Sequence, residues 1–303
     1  MNASHLFCFG LGYTGTALAH QLIDNGWHVS GTCRESSQID FFTSSGITAF
    51  EFSGTEYSDD LLNALGNSTH VLSTVPPSPD TGGDPVWQVF GEPLRDMTHL
   101  EWIGYLSTTG VYGDTGGVEV SEAAPPAPTG ARGERRVAAE QAWLSLNTDH
   151  GLPVHVFRLP GIYGSGRSGF DQLKNPKPQT SHKPRRILKP GHLFNRIHVD
   201  DIVQTLCASI TQPNGGAIYN VCDDEPAAPA DVTAFACRLA GVTPPPLVPF
   251  DEAKETMSDM ALSFWRDNRR VSNARIKDEL GVDLLYPTYR DGLTAIWAEE
   301  LDA

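Results

Sequence analysis

A glycine-rich run near the start of the chain constrains the fold more than any other feature of the sequence. Gly10-Leu11-Gly12-Tyr13-Thr14-Gly15 follows an apolar stretch and opens an amphipathic segment. In a strand–turn–helix unit, Gly10 permits the tight turn, Gly12 lets the backbone approach a diphosphate, and Gly15 lets the helix pack on the strand. Because the first amides of the helix then face the anion, all six residues are predicted to bind a dinucleotide.

The order of apolar and amphipathic segments predicts the rest of the fold. We predict strands at residues 5–10, 28–32, 49–52, 70–74, 102–107, 154–159 and 217–221, and helices at 14–25, 134–147 and 200–210, the last capped by Asp200. Strands that alternate with helices indicate parallel βαβ units. After residue 223 helices predominate, at 230–240, 273–280 and 289–300. The predicted fold is α/β: a doubly wound, Rossmann-type parallel sheet over residues 1–222 and a smaller, mostly helical C-terminal lobe over 223–303 that closes over the strand ends.

Composition excludes several classes of function. The 303 residues carry 22 Lys+Arg against 37 Asp+Glu, a formal charge of −15, which repels nucleic acid. No apolar run is long enough to cross a membrane and no signal peptide is recognised, so a cytoplasmic protein is expected. Five cysteines without a Cys-x-x-Cys pair indicate reduced thiols. The histidines show no metal-binding spacing, and no metal site is predicted.

The end of the second predicted strand bears on the choice of cofactor. Cys33 and Arg34 stand roughly 20 residues beyond the glycine motif, where an NAD site would place a carboxylate on the ribose. A guanidinium at that point pairs with a 2′-phosphate, which favours NADP over NAD. Glu35 leaves the alternative open, because its carboxylate could still reach the ribose.

Several motifs resemble the extended short-chain dehydrogenases/reductases, the NAD-dependent epimerase/dehydratase group. They are Tyr-Leu-Ser-Thr-Thr-Gly-Val-Tyr-Gly at 105–113, Arg-Leu-Pro-Gly-Ile-Tyr-Gly at 158–164, Arg-Ile-His-Val-Asp-Asp at 196–201 and Tyr-Asn-Val at 219–221. The resemblance implies cofactor contacts at Thr74, Val75, Pro76, Ser107 and Pro160. It implies substrate contacts at Tyr163, Arg196 and His198, and it is compatible with a homodimer.

The family's catalytic set is incomplete in this chain. The resemblance implies that Thr108, four residues before Tyr112, polarises the reacting oxygen, and that a Tyr-x-x-x-Lys pair moves the proton. Glu140 resembles a residue of the family's catalytic helix. Counting back four residues from it places Arg136 at the lysine position, and counting back eight places Arg132 at the tyrosine position. Arginine stays protonated and cannot act as the base, although Arg136 could hold the ribose. The pattern is similar to an atypical subgroup in which the cofactor motif persists and the catalytic set is degraded.

Other residues are candidates for the missing proton transfer. Tyr112 and Tyr163 follow strand ends, and His198 precedes a helix on the substrate side. Packing under the active-site loop is the alternative role for either tyrosine, and a hydrogen bond that fixes the loop is the alternative for His198.

One stretch of the acidic chain is strongly basic. Residues 174–196 contain no Asp or Glu and seven cations: Lys174, Lys177, Lys183, Arg185, Arg186, Lys189 and Arg196. A substrate-side loop at about 165–195 could use them to bind a phosphorylated or nucleotide-linked substrate, and the alternative is a solvated flexible loop.

These observations define two functional hypotheses. The first is an NADP-linked oxidoreductase-like enzyme of the epimerase, dehydratase or reductase type that acts on a small hydroxyl or carbonyl compound. The second is a redox-silent, NADP-binding sensor or regulatory protein, which the loss of the Tyr/Lys pair favours.

Overall fold

The computed structural model describes residues 4–174 and 185–302. Its strands are β1 (His5–Phe9), β2 (His28–Cys33), β3 (Thr48–Glu51), β4 (His70–Ser73), β5 (Trp102–Thr108), β6 (Glu119–Val120), β7 (Val154–Leu159), β8 (Gly161–Tyr163), β9 (Arg186–Leu188), β10 (Arg196–His198), β11 (Ile218–Asn220), β12 (Leu247–Pro249) and β13 (Arg270–Val271). Its helices are α1 (Tyr13–Asp24), α2 (Ile39–Ser44), α3 (Asp59–Gly66), α4 (Pro85–Arg95), α5 (Ala131–His150), α6 (Gly169–Lys174), α7 (Val199–Thr211), α8 (Pro229–Leu239), α9 (Phe250–Ala253), α10 (Asp259–Arg266), α11 (Ala274–Leu280) and α12 (Tyr289–Asp302).

A seven-stranded parallel sheet forms the centre of the molecule. Its strand order is β11-β7-β5-β4-β1-β2-β3, and every neighbouring pair is parallel. The direction of winding reverses between β1 and β4, which is the switch point where doubly wound sheets bind ligands. Each of the seven predicted strands forms one strand of this sheet, so the predicted α/β fold class is confirmed.

Both faces of the sheet are covered. Along β1, Leu6 and Cys8 point into a core shared with α1 and α7, whereas Phe7 and Phe9 point into a core shared with α3, α4 and α5. All four side chains are fully buried. Burial on both faces explains why the strands read as continuous apolar runs instead of alternating ones.

The residues after 222 are mostly helical, but they do not pack as a separate layer throughout. Ile276 and Leu280 of α11 belong to the core beneath the central sheet. Two short parallel pairs, β9 with β12 and β6 with β13, also join this part of the chain to earlier residues. In the described residues, no helix combines the length and apolarity that crossing a bilayer requires.

The starts of α12 and α7 are capped by side chains. At α12 the cap is reciprocal, because the Thr288 hydroxyl accepts the Asp291 amide at 3.4 Å and the Thr288 amide donates to Asp291 Oδ2 at 3.0 Å. The predicted cap of α7 is wrong. His198 Nδ1 accepts the amide of Asp200 at 3.3 Å and caps the helix, which leaves Asp200 in its first turn.

Candidate functional site

A cleft of about 1090 Å³ opens along the carboxyl ends of the central strands. Its walls come from the start of α1, the ends of β4, β5 and β7, the first turn of α5, the β10 region and the segment 263–269. Of the residues predicted from the sequence, those that line it are Gly12, Tyr13, Thr14, Thr74, Pro76, Ser107, Thr108, Arg132, Arg136, Pro160 and Arg196.

The glycine motif forms a cradle whose shape depends on missing side chains. Gly10 has φ +89°, and a Cβ built there would lie 2.6 Å from Thr74 Oγ1. A Cβ at Gly15 would lie 2.6 Å from the Gly10 carbonyl oxygen, whereas Gly12 has no heavy atom within 4 Å of that position. Gly12 is the N-cap residue of α1 and makes no side-chain capping bond, so the first backbone amides of the helix stay available to a ligand. These features fit the diphosphate of a dinucleotide.

The second strand ends beside this cradle. The amide of Leu11 donates to the Thr32 carbonyl at 2.7 Å, and the amide of Gly10 donates to Thr32 Oγ1 at 2.9 Å. Cys33 is buried and Arg34 is exposed just beyond it. Neither residue lines the cleft itself, nor do Gly10, Leu11, Gly15 and Val75, which support the cradle from behind.

The end of β5 brings two hydroxyls to the cleft. The Thr108 hydroxyl accepts the amide of Gly110 at 3.1 Å, which fixes the oxygen and leaves its proton available for donation. The Ser107 hydroxyl instead donates to Glu140 Oε1 at 2.5 Å. Of the two, Thr108 is therefore the one whose O–H is available to a ligand.

Two arginines stand opposite these hydroxyls on the first turns of α5. Arg136 donates to the Tyr105 hydroxyl and to the Leu106 carbonyl, both at 2.9 Å. The Arg132 guanidinium lies 5.8 Å from the centroid of the Phe264 ring. The structure thus brings Thr108, Arg132 and Arg136 to one cleft.

Tyr112 does not line the cleft. It is 3% exposed, and its hydroxyl donates to Asn220 Oδ1 while accepting from Arg158 Nη1, both at 2.8 Å. Burial raises the pKa of Tyr112, and Arg158 only partly offsets that effect. This environment supports the packing alternative for Tyr112 over proton transfer.

A buried ion pair that the sequence reading did not identify lies behind the cleft. Arg158 Nη2 and Nε donate to the two carboxylate oxygens of Glu140 at 2.7 and 3.1 Å, with both side chains at most 3% exposed. Burial opposes the charge on Arg158, but Glu140 and Tyr112 more than compensate and raise the pKa of Arg158. The signal for the pair was present in the sequence, since Arg158 lies inside an apolar strand.

The three residues predicted to contact substrate lie close together, but only Arg196 among them lines the cleft. Arg196 lines the cleft and donates to the carbonyls of Phe194 and Ala227 at 2.9 and 3.1 Å. Tyr163 and His198 are buried behind it, with ring centroids 5.1 Å apart. Burial raises the pKa of Tyr163 and lowers that of His198.

The segment 263–269 was not predicted to reach the site. It adds Phe264, Trp265, Arg266, Asp267 and Arg269 to the cleft wall. With Arg167, the lining formed by the described residues contains six arginines and one acidic residue, Asp267. A strongly cationic cleft in a chain of net charge −15 indicates an anionic ligand.

The basic stretch is only partly described. Lys177 and Lys183 lie outside the described residues. Arg185 donates to the Ala253 carbonyl at 3.0 Å, Arg186 donates to the Pro245 carbonyl at 2.8 Å, and Lys189 donates to the Trp265 carbonyl. These side chains tie the stretch to the C-terminal part of the chain, and none of the three lines the cleft.

Tyr13 contributes a phenol to the described cleft lining. Its hydroxyl donates to the Ser165 carbonyl at 2.9 Å, and the Arg167 guanidinium lies 5.5 Å from its ring centroid. Burial raises the pKa of Tyr13 to about 12, and Asp200 adds to the rise. The group is therefore protonated throughout the neutral range.

Comparison with known proteins places these features in context. Residues 96–222 match the model of the NAD dependent epimerase/dehydratase family. A curated Streptomyces protein, 3-diazoavenalumate denitrifying reductase, is 31% identical over 167 residues, which is 52% of this chain and 51% of the relative. That match spans about half the length of the curated protein.

Solved structures match over nearly the whole chain. A functionally unknown conserved protein from Silicibacter pomeroyi is 46% identical, with a TM-score of 0.88 over 98% of this chain and 99% of its own. A UDP-glucuronic acid 4-epimerase from Bacillus cereus, in complex with UDP-glucuronic acid and NAD, is 16% identical, with a TM-score of 0.75 over 98% of this chain and 99% of its own. The second likeness concerns the fold alone.

Proposed function

We propose that the chain, whose residues 96–222 match the NAD dependent epimerase/dehydratase family, is an NADP-linked oxidoreductase acting on a small anionic hydroxyl or carbonyl compound. The observation that carries the proposal is the meeting, in one cleft, of the glycine cradle, the Thr108 hydroxyl and a row of arginines. A bound nicotinamide nucleotide supplies or accepts hydride, and the residues of the chain bind, orient and polarise.

The cradle and the end of β2 would hold the cofactor. The uncapped first turn of α1 and the open side of Gly12 favour the diphosphate. Arg34, exposed just beyond β2, would pair with a 2′-phosphate, which supports NADP over the NAD found in the Bacillus cereus structure.

Thr108 would orient the substrate oxygen. Its oxygen already accepts the Gly110 amide, so its proton points elsewhere and can bond to a carbonyl oxygen. Arg132 and Arg136 occupy the positions of the usual proton couple but only donate hydrogen bonds. Tyr13 holds its proton to about pH 12. We infer that the proton of the reaction is exchanged with water, and that the arginines hold and neutralise the substrate anion.

The relatives are consistent with this assignment. The curated Streptomyces relative is described as a reductase, and the Bacillus cereus neighbour holds UDP-glucuronic acid, which is an anion. An anionic ligand in that neighbour is in keeping with a cleft rich in arginine.

The test is oxidation of NADPH with a panel of anionic aldehydes and ketones. We expect turnover with a subset of them, and we expect Thr108→Val to reduce kcat/KM about a hundredfold, because it removes one polarising donor. Thr98→Val is the matched control, because Thr98 is exposed and lies away from the cleft. This substitution should leave turnover unchanged.

One result would favour the second hypothesis, a redox-silent NADP-binding protein. Arg136 is already bonded to Tyr105 and Leu106, so a structural role for this residue would suit a redox-silent protein. Tight binding of NADP without turnover of any panel compound would refute the enzyme and favour an NADP-binding sensor.

A further inference from the structure

One wall of the cleft combines guanidinium groups with a half-exposed aromatic ring. We define this arginine–aromatic wall as Arg132 from α5 together with Phe264, Arg266 and Arg269 from the segment 263–269. All four residues line the cleft. Phe264 is 50% exposed, so about half of this apolar side chain is open to a ligand. A ligand that covered this ring would remove apolar surface from water.

The wall is held in place by contacts with the catalytic side of the cleft. Arg266 donates to the Thr129 carbonyl at 3.0 Å, and Arg269 donates to the Gly113 carbonyl at 3.1 Å. Trp265, next to Phe264, packs with ring centroids 5.5 Å from His192 and 5.6 Å from Phe194. These contacts hold the segment against the cleft while half of the Phe264 side chain stays exposed.

An ion pair with Asp267 neutralises one of the three guanidinium charges of the wall, that of Arg269. Asp267 is the acidic residue of the described lining, and its two oxygens accept from Thr129 Oγ1 at 2.7 Å and from Arg269 Nη1 at 3.1 Å. Arg132 contacts the Phe264 ring and forms no hydrogen bond within the described part of the chain. A guanidinium with free donors beside an open cleft binds a planar anion through paired hydrogen bonds.

From these observations we propose that the wall binds the carboxylate and ring of an aromatic acid as substrate. The inference rests on the proposed oxidoreductase function, for which it names the substrate class. The carboxylate would bond to Arg132 and Arg266, and the ring would cover Phe264.

The spacing favours this class over a nucleotide. The Arg132 guanidinium lies 5.8 Å from the Phe264 centroid, so the anion and the ring of the ligand must be direct neighbours. An aryl carboxylate has that arrangement. In a nucleoside diphosphate a ribose stands between the base and the phosphates, so the ring and the anion are not directly bonded.

Three small ligands of similar size test separately whether the wall recognises the negative charge and the aromatic ring. Benzoate, benzamide and cyclohexanecarboxylate would be titrated calorimetrically into the full chain saturated with NADP. We expect benzoate to bind about tenfold more tightly than benzamide, which lacks the charge, and than cyclohexanecarboxylate, which lacks the planar ring. Similar affinity for all three ligands would overturn the proposal.

Substitutions in the wall then test whether benzoate binds there. Arg132→Gln and Phe264→Ala should each weaken benzoate about tenfold and leave the Kd for NADP unchanged. Arg95→Gln is the matched control, because Arg95 also lies over a ring, Trp87 at 5.9 Å, but stands outside the cleft. Arg132 is exposed and bonds to no backbone group, so its substitution should not disturb folding, which thermal denaturation would verify.

The outcomes distinguish this proposal from the function on which it rests. Binding of UDP that is weakened by Arg132→Gln, without binding of benzoate, would overturn the aromatic acid while leaving an oxidoreductase. Benzoate binding that depends on Arg132 and Phe264, without oxidation of NADPH by any aromatic aldehyde or keto acid, would support the wall and refute the proposed function.

Discussion

Replacement of Glu140 by glutamine tests the buried ion pair behind the cleft. The carboxylate accepts two hydrogen bonds from Arg158, at 2.7 and 3.1 Å, and one from Ser107 at 2.5 Å. Glutamine retains the volume but removes the charge, and its amide nitrogen would face a guanidinium donor. Because Arg158 is 2% exposed, water cannot replace the lost partner. Breaking a buried pair from one side costs about 3–5 kcal/mol, and we expect Glu140→Gln to lose about that much.

The assay is urea denaturation followed by tryptophan fluorescence, since Trp143 is fully buried on the same helix. Glu134→Gln is the matched control because Glu134 is exposed in the first turn of α5, and it should change stability by less than about 0.5 kcal/mol. If Glu140→Gln were as mild as the control, Arg158 would not depend on this carboxylate and the reasoning would fail. Joint replacement, Glu140→Leu with Arg158→Met, should cost less than Glu140→Gln, because no unpaired charge remains.

Two further predictions concern the cofactor and pH. Arg34→Asp should raise the Kd for NADP about 10- to 100-fold and change that for NAD little, because only NADP loses a charged hydrogen bond; equal changes in two calorimetric titrations would show that Arg34 does not contact the phosphate. Asp223 is 2% exposed, and burial raises its pKa from 3.8 to about 8, so the native protein keeps a proton that the unfolded chain releases. Stability should therefore fall as pH rises between those two values, and Asp223→Asn should remove that part of the fall. Urea midpoints measured at pH 5 and pH 8 that changed equally in both proteins would contradict the assignment.

The central sheet could be predicted from the sequence because its strands are buried on both faces. The predicted segment 154–159 coincides with β7, and 102–107 ends one residue before β5 does. Sustained apolar runs between glycine and proline signals give this accuracy, since almost every position of such a strand must be apolar. The glycine motif was equally informative, because its turn tolerates few other residues at Gly10 and Gly15.

The cleft wall from 263–269 could not be predicted in the same way. Its contacts join residues far apart in the chain, as between Arg266 and Thr129, 137 positions apart, and between Arg269 and Gly113, 156 apart. No local periodicity encodes such pairs. The ion pair of Glu140 and Arg158 was more accessible to prediction, because a charge inside a buried strand requires a partner.

The structure also explains how the proton couple can be missing while the fold is retained. Arg132 is exposed and Arg136 half-buried on the cleft side of α5, whereas Glu140, one turn further, is buried against Ser107 and Arg158. Residues at a spacing of four share a helix face, so this one face lines the cleft at its start and is buried in the core at its end. Arginines at the first two positions leave the contacts between α5 and the sheet intact, and under the proposed function they bind an anion where the resemblance implies a proton couple. Under that proposal the chemistry of this cleft depends on its arginines more than on the scaffold.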